Sequence, residues 1–194
     1  TSIKGYLEAM LDGTIPPEMQ DKYMRIVISE TERLTALTKS TLELQSLQSR
    51  KMALTPTRFD INQVIRDTVA SFEGICIPRH IILELVFHDE TMFVQADKLK
   101  IQQVLYNLLD NAIKFSPEGS DIEVRVFRAD NAIVEIQDHG CGMSEEAQKR
   151  IFDKFYQADK SRKQEGVGLG LSLVKRIVDM MGGSITVCSA VGEG

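Results

Sequence analysis

From Pro17 to about Ser49 the chain runs with no glycine and no internal proline. Ile26, Glu30, Leu34, Leu37, Thr41, Leu44 and Gln48 recur there at alternating spacings of four and three. That is a heptad with polar interruptions, and it predicts one helix far longer than the globular mean of about 11–12 residues. Upstream, Ile3, Tyr6, Leu7, Met10 and Leu11 mark a shorter amphipathic helix over residues 1–12. Asp12-Gly-Thr-Ile-Pro-Pro17 stops that helix, because glycine suits a helix C-terminus and the proline pair cannot continue one. Pro17 and Glu18 suit the first turn of the next. Two helices joined by a short loop make an antiparallel hairpin, and neither can bury its stripe alone. Dimerisation into a four-helix bundle is the expected solution, with packing of the hairpin on the rest of a monomer as the alternative.

Beyond the hairpin the pattern changes. Residues 50–57 lack periodicity and include Pro56, so they read as a linker between a hairpin domain (1–49) and a second domain (58–194). Phe59-Asp-Ile is strand-like, and Asp60 or Asn62 can cap a helix through about Phe72. Ile81 to Phe87 and Met92 to Ala96 read as strands, and Asp97 can cap a helix to Phe115. Ile122 to Phe127 and Ala132 to Ile136 flank Asp130-Asn131 as a hairpin. A polar stretch spans Ser144 to Glu165, a helix follows from about Leu169 to Met181, and a last strand is expected at Ser184 to Cys188. Strands and helices segregate, which predicts an α+β architecture: the helical hairpin, then a two-layer α/β sandwich with one mixed sheet.

Composition narrows the function. A net charge of −5 over 194 residues argues against a general nucleic-acid binder, whose phosphate contacts require a basic surface. Cys76, Cys141 and Cys188 are odd in number and far apart, with no zinc-ligand spacing, and read as reduced thiols. No apolar run approaches the roughly 18 residues that cross a bilayer. The opening Thr1 to Leu7 reads as the middle of a helix without a start signal, so the sequence is expected to be part of a longer protein.

Three separated segments carry chemistry. Asn107, Asn111 and Lys114 fall at i, i+4 and i+7 of one predicted helix and share a face. Two amide oxygens beside a lysine suit a hard cation already carrying phosphate oxygens, although an ordinary polar helix face has the same spacing. Asp138-His-Gly140-Cys-Gly142 follows a predicted strand. Its glycines let backbone approach a ligand closely, and Asp138 offers a carboxylate to an exocyclic amine such as that of adenine. A tight turn with a capping aspartate is the alternative. Glu165-Gly166-Val-Gly168-Leu-Gly170-Leu171-Ser172 precedes a helix, where free N–H groups and the positive dipole end favour phosphate. It is neither a dinucleotide fingerprint, since no strand leads into it, nor a P-loop, since the Gly-Lys-Ser/Thr ending is missing.

In this order and spacing the segments resemble the nucleotide-binding boxes of sensor histidine kinases. Asn107-Leu-Leu-Asp-Asn111-Ala-Ile-Lys114-Phe115 resembles their asparagine box, and Asp138 to Gly142 their first glycine box. Ile151-Phe152-Asp-Lys-Phe155-Tyr156 resembles their phenylalanine box, and Gly166 to Gly170 their second glycine box. The resemblance implies an ATP-dependent protein-histidine kinase using Mg²⁺ and ATP, with Asn111 the main metal ligand, Asn107 supporting it and Lys114 on phosphate. It implies Asp138 on the adenine amino group, Gly140 and Gly142 shaping the adenine floor, and Phe115 and Leu171 at the nucleotide. Residues 144–165 would form a lid anchored by Phe152 and Phe155, with Gly166, Gly168 and Gly170 accommodating the phosphates. Lys160, Arg162 and Lys163 could add charge there, though solvated lid charges are the simpler reading.

The same resemblance implies a homodimer through the hairpin and a response-regulator receiver domain as partner. It also implies a cytoplasmic portion of a membrane-bound sensor, attached only through a part upstream. None of His80, His88 and His139 sits where the family's phosphoacceptor would. That acceptor is expected before Ser2-Ile-Lys-Gly-Tyr6, upstream of Thr1. Two other functions remain open. An ATP-hydrolysing clamp of the same superfamily would need a carboxylate in place of Asn107 to activate water. A non-catalytic nucleotide-binding scaffold would not need the boxes filled.

Overall fold

The computed structural model describes residues 2–48, 54–157 and 168–194. Helix α1 (Ser2–Leu11) and helix α2 (Pro17–Gln48) match the first two expected helices. The chain turns between them through Gly13, which has φ of +78°, and Asp12 accepts a hydrogen bond from the Thr14 N–H at 2.9 Å. The two helices meet where the Tyr6 and Tyr23 rings lie 5.2 Å apart.

The α/β part opens with β1 (Thr57–Asp60), which runs directly into α3 (Ile61–Ala70). Asp60 caps that helix and does more: Oδ1 accepts from Asn62 N at 3.1 Å and from Met92 N at 3.0 Å. The short α4 (Glu73–Cys76) and a 3-10 turn over Ile77–Arg79 lead to β2 (Ile82–Phe87), then β3 (Phe93–Ala96). Asp97 caps the long α5 (Lys98–Phe115) through Lys100 N at 3.2 Å. Its other carboxylate oxygen accepts from Thr55 N at 3.1 Å, which ties the incoming chain to the helix start. Strands β4 (Asp121–Arg128) and β5 (Ala132–Gln137) form the expected hairpin around Asp130 and Asn131. Helix α6 (Glu145–Arg150), capped by Ser144, and α7 (Gly170–Met180) complete the elements.

Two expectations need correction. The strands do not form one mixed sheet: β1 and β3 pair antiparallel by themselves, while β2, β4 and β5 form a mixed sheet in that order, β2 parallel and β5 antiparallel to β4. Residues 184–188 are not a strand. Ile185 and Val187 alternate as a strand would, but the hydrogen bonds that follow go elsewhere. Ser189 Oγ accepts from Met143 N at 2.8 Å and Ser189 O from Gln148 Nε2 at 2.7 Å. A short helix, α6, also lies within the stretch that reads only as polar in sequence.

The three-stranded sheet and its helices make two layers. Ile122, Val124 and Val126 of β4 alternate inward and meet Val64, Ile65 and Val69 of α3 with Leu105, Leu109 and Ile113 of α5. Each such side chain stabilises the fold by roughly 1.5–3 kcal/mol through burial. A smaller cluster joins Val104 of α5 to Leu173, Val174 and Ile177 of α7. Helix α5 is therefore fixed on two sides, and the rim between them stays open for its polar face.

Candidate functional site

That rim faces a cleft of about 2510 Å³, larger than the roughly 300–1,000 Å³ of ordinary ligand pockets. It runs from α5 past the turn after β5 to residues 184–189. Asn107, Asn111, Lys114 and Phe115 of α5 all line it. The helical period explains the grouping: Leu109, Ala112 and Ile113 between them turn into the core, leaving i, i+4 and i+7 on the cleft side.

Asn107 is oriented by its own helix. Nδ2 donates to Gln103 O at 2.7 Å, and Oδ1 points at the start of α7, where a Cβ on Gly170 would meet it at 3.0 Å. Leu169, the N-cap residue of α7, supplies no side-chain cap. The first amides of that helix are thus not taken by a capping side chain, the arrangement that receives an anion. Lys114 Nζ stands 2.9 Å from Asp110 Oδ2, a pairing one helical turn apart that the sequence reading missed although the spacing is visible there.

Across the cleft, Asp138 leaves the end of β5. Its Oδ1 accepts from Gly140 N at 2.9 Å, closing a small turn. Gly140 lies behind the lining rather than in it: an added Cβ would meet Phe115 O at 2.9 Å, so the turn packs directly on the end of α5. Gly142 lines the cleft with φ of +62°, and a Cβ there would collide with the Ala190 carbonyl oxygen. Gly168, at φ of +71°, would place a Cβ 2.5 Å from Tyr156 O. Gly168, Gly170 and Leu171 all reach the cleft.

The two phenylalanines separate. Phe152 lines the cleft, whereas Phe155 is 61% exposed, holds φ of +62° and donates its N–H to Gly168 O at 2.8 Å. Tyr156 takes a place in the lining that the sequence reading did not assign, with Arg150 stacked 4.6 Å from its ring centroid. Gly166 and the lid cations Lys160, Arg162 and Lys163 lie outside the described residues.

Among the described residues no group of three or more His, Cys, Asp or Glu could hold a metal ion. The cleft face of α5 presents the amides of Asn107 and Asn111 beside the Asp110 carboxylate, a set whose oxygens fit a hard cation that keeps phosphate and water oxygens. No described helix is long and apolar enough to cross a membrane.

Comparison with known proteins identifies the family. Residues 96–194 match the family model of histidine kinase-, DNA gyrase B-, and HSP90-like ATPases. The chain is 32% identical, over 100% of its length, to the circadian input-output histidine kinase CikA of Synechococcus elongatus, of which it covers 27%. The solved histidine kinase AdeS of Acinetobacter baumannii is similar over 98% of this chain and 88% of that chain, with a TM-score of 0.78 and 25% identity. Histidine kinase ThkA, solved in complex with response regulator protein TrrA, is similar over 93% of this chain and 50% of that chain, with a TM-score of 0.75 and 28% identity. The chain spans 22% to 33% of the length of the first curated relatives it matches. The matched region contains the whole cleft face of α5, the turn after β5 and the start of α7, and the chain belongs to the histidine kinase-, DNA gyrase B- and HSP90-like ATPase family as a histidine-kinase-type domain.

Proposed function

We propose that this chain is the ATP-binding and dimerisation portion of a sensor histidine kinase. It binds Mg-ATP and presents the γ-phosphoryl group to a histidine, for relay to an aspartate on a response-regulator receiver domain. The observation that carries the proposal is the approach of Asn107 Oδ1 to Gly170, which sets an amide oxygen beside an uncapped helix N-terminus in one cleft. Asn111 and Asn107 hold the metal, Lys114 pairs with phosphate, and the amides opening α7 receive it. Asp138 accepts from the adenine amino group through the oxygen that does not close its turn. Mg²⁺, when bound, neutralises charge on the phosphate oxygens. The residues themselves position the triphosphate and exclude alternatives, which is most of what phosphoryl transfer asks of a protein.

The domain division follows: residues 1–49 as the hairpin that pairs with a second copy into a four-helix bundle, 50–57 as linker and 58–194 as the nucleotide-binding domain. The cytoplasmic side of a membrane-bound sensor is the setting we assign to it.

Calorimetry with ATP in the presence and absence of Mg²⁺ tests the proposal. Binding that requires Mg²⁺ and is weakened at least tenfold by Asn111→Ala is expected. Absence of binding would overturn the proposal. Fast hydrolysis abolished by Asn107→Ala would favour the clamp reading, which the amide at Asn107 argues against, since an amide cannot take a proton from water.

A further inference from the structure

Arg79 lies outside all four boxes, 28 residues before Asn107 in sequence, yet its guanidinium reaches the end of the site helix. Nη1 donates to Ile113 O and Nη2 to Ser116 O, both at 2.7 Å. These carbonyls bracket Lys114 and Phe115, two cleft residues. The last carbonyls of a helix have no partner within it and carry the negative end of its dipole, so a forked cation is the complementary group.

The placement of Arg79 is itself built. Arg79 O accepts from Gly119 N at 3.0 Å, which ties its backbone to the turn that follows α5. His80 then takes φ of +54°, a left-handed conformation that lets the chain leave the 3-10 turn and enter β2. Meanwhile Ser116, the C-cap of α5, is buried, and Phe115 O lies against Gly140 in the Asp138 turn. One end of one helix therefore touches both halves of the cleft: Lys114 on the phosphate side and the Asp138–Gly142 turn on the base side.

We propose that Arg79 is a positioning residue of the nucleotide site, setting Lys114 and the Asp138 turn relative to each other by clamping the carbonyls of Ile113 and Ser116. The inference rests on the ATP-binding reading above. Arg79 is not among the residues that line the cleft, and its effect travels through the last turn of α5. A guanidinium suits the task because its rigid planar fork holds two carbonyls in fixed geometry; an ammonium on a flexible stem keeps the dipole interaction but not that fork.

The experiment is ATP calorimetry on the 194-residue chain with Mg²⁺, comparing the parent with Arg79→Lys and Arg79→Met. Dissociation constant and stoichiometry are read separately, and amide hydrogen exchange is followed at Lys114, Phe115 and Ser116. The expected result is a dissociation constant raised about tenfold in Arg79→Met and about threefold in Arg79→Lys, at unchanged stoichiometry. Faster exchange confined to the last turn of α5 should accompany it. A purely structural role would lower stoichiometry while the binding-competent fraction kept the parent constant, and that result overturns the proposal. So does a parent-like constant in both variants. If Arg79→Met does not fold, the Arg79→Lys pair of readouts decides alone. A parent chain that binds no ATP would instead overturn the underlying reading and this inference with it.

Discussion

Lys114 and Asp110 stand one turn apart on α5 with Nζ 2.9 Å from Oδ2, their side chains 34% and 37% exposed. The lysine proposed to meet phosphate is already engaged by a neighbouring carboxylate that also lines the cleft. A pair this exposed contributes only about 0.3–0.5 kcal/mol, small enough for a phosphate to displace. Replacement of the carboxylate therefore frees the lysine and removes a repelling charge. Asp110→Asn should tighten ATP binding about twofold at low salt, with the gain shrinking as ionic strength rises. Calorimetry at two salt concentrations measures it, and weaker binding would show that Asp110 steers Lys114 rather than competes for it.

Asp138 closes its turn by accepting from Gly140 N through Oδ1, and its other oxygen is the one the proposed function assigns to the base. Asn keeps an acceptor for the turn and turns the second position into a donor. Asp138→Asn should leave the melting temperature nearly unchanged while weakening ATP binding about tenfold or more, a combination that scanning calorimetry and titration together would reveal. Equal ATP affinity would remove the base-recognition role.

Gly142 tests the backbone. Its φ of +62° disfavours any side chain, and a Cβ would run into the Ala190 carbonyl. Gly142→Ala should destabilise the domain by about 1–3 kcal/mol in denaturant titration, from strain and displacement of residues 190–192. A neutral outcome would mean that the segment carrying Ala190 yields freely.

The cysteines separate by environment. Cys76 is buried, and burial pushes its thiol up against a weaker opposing pull from Arg79, while Cys188 is exposed. At mildly alkaline pH a thiol-alkylating reagent should label Cys188 first and Cys76 only on unfolding, as mass spectrometry of the digested protein would show. The sign for stability follows. As pH rises through the ordinary thiol range, the unfolded chain loses the Cys76 proton and the folded chain keeps it. This group's contribution is therefore full below that range and falls above it.

Local signals in the sequence carried a large share of this architecture. Asp60 and Asp97 announce their helices because a capping side chain bonds within three residues. The Asn107, Asn111 and Lys114 face follows from helical period alone. What escaped depends on distant partners. Arg79 meets Ile113 and Ser116 across 34 and 37 residues, and a side chain bonding distant carbonyls leaves no periodic trace. Residues 184–188 have strand-like alternation, but a ladder needs a partner in register, and here the following serine bonds to Met143 and Gln148. Phe152 and Phe155 look equivalent in sequence; the left-handed turn at Phe155 sends only one of them to the cleft.

Helix α5 is gripped at its start through Asp97 and Thr55 and at its end through Arg79. Held so, it serves as a yardstick. Asn107 and Lys114 are separated along its axis by about 10 Å, at 1.5 Å per residue, and nothing short of melting the helix alters that interval. In the proposed reading a single ligand engages both residues, so the pitch of the helix sets the backbone span that such a ligand has to bridge.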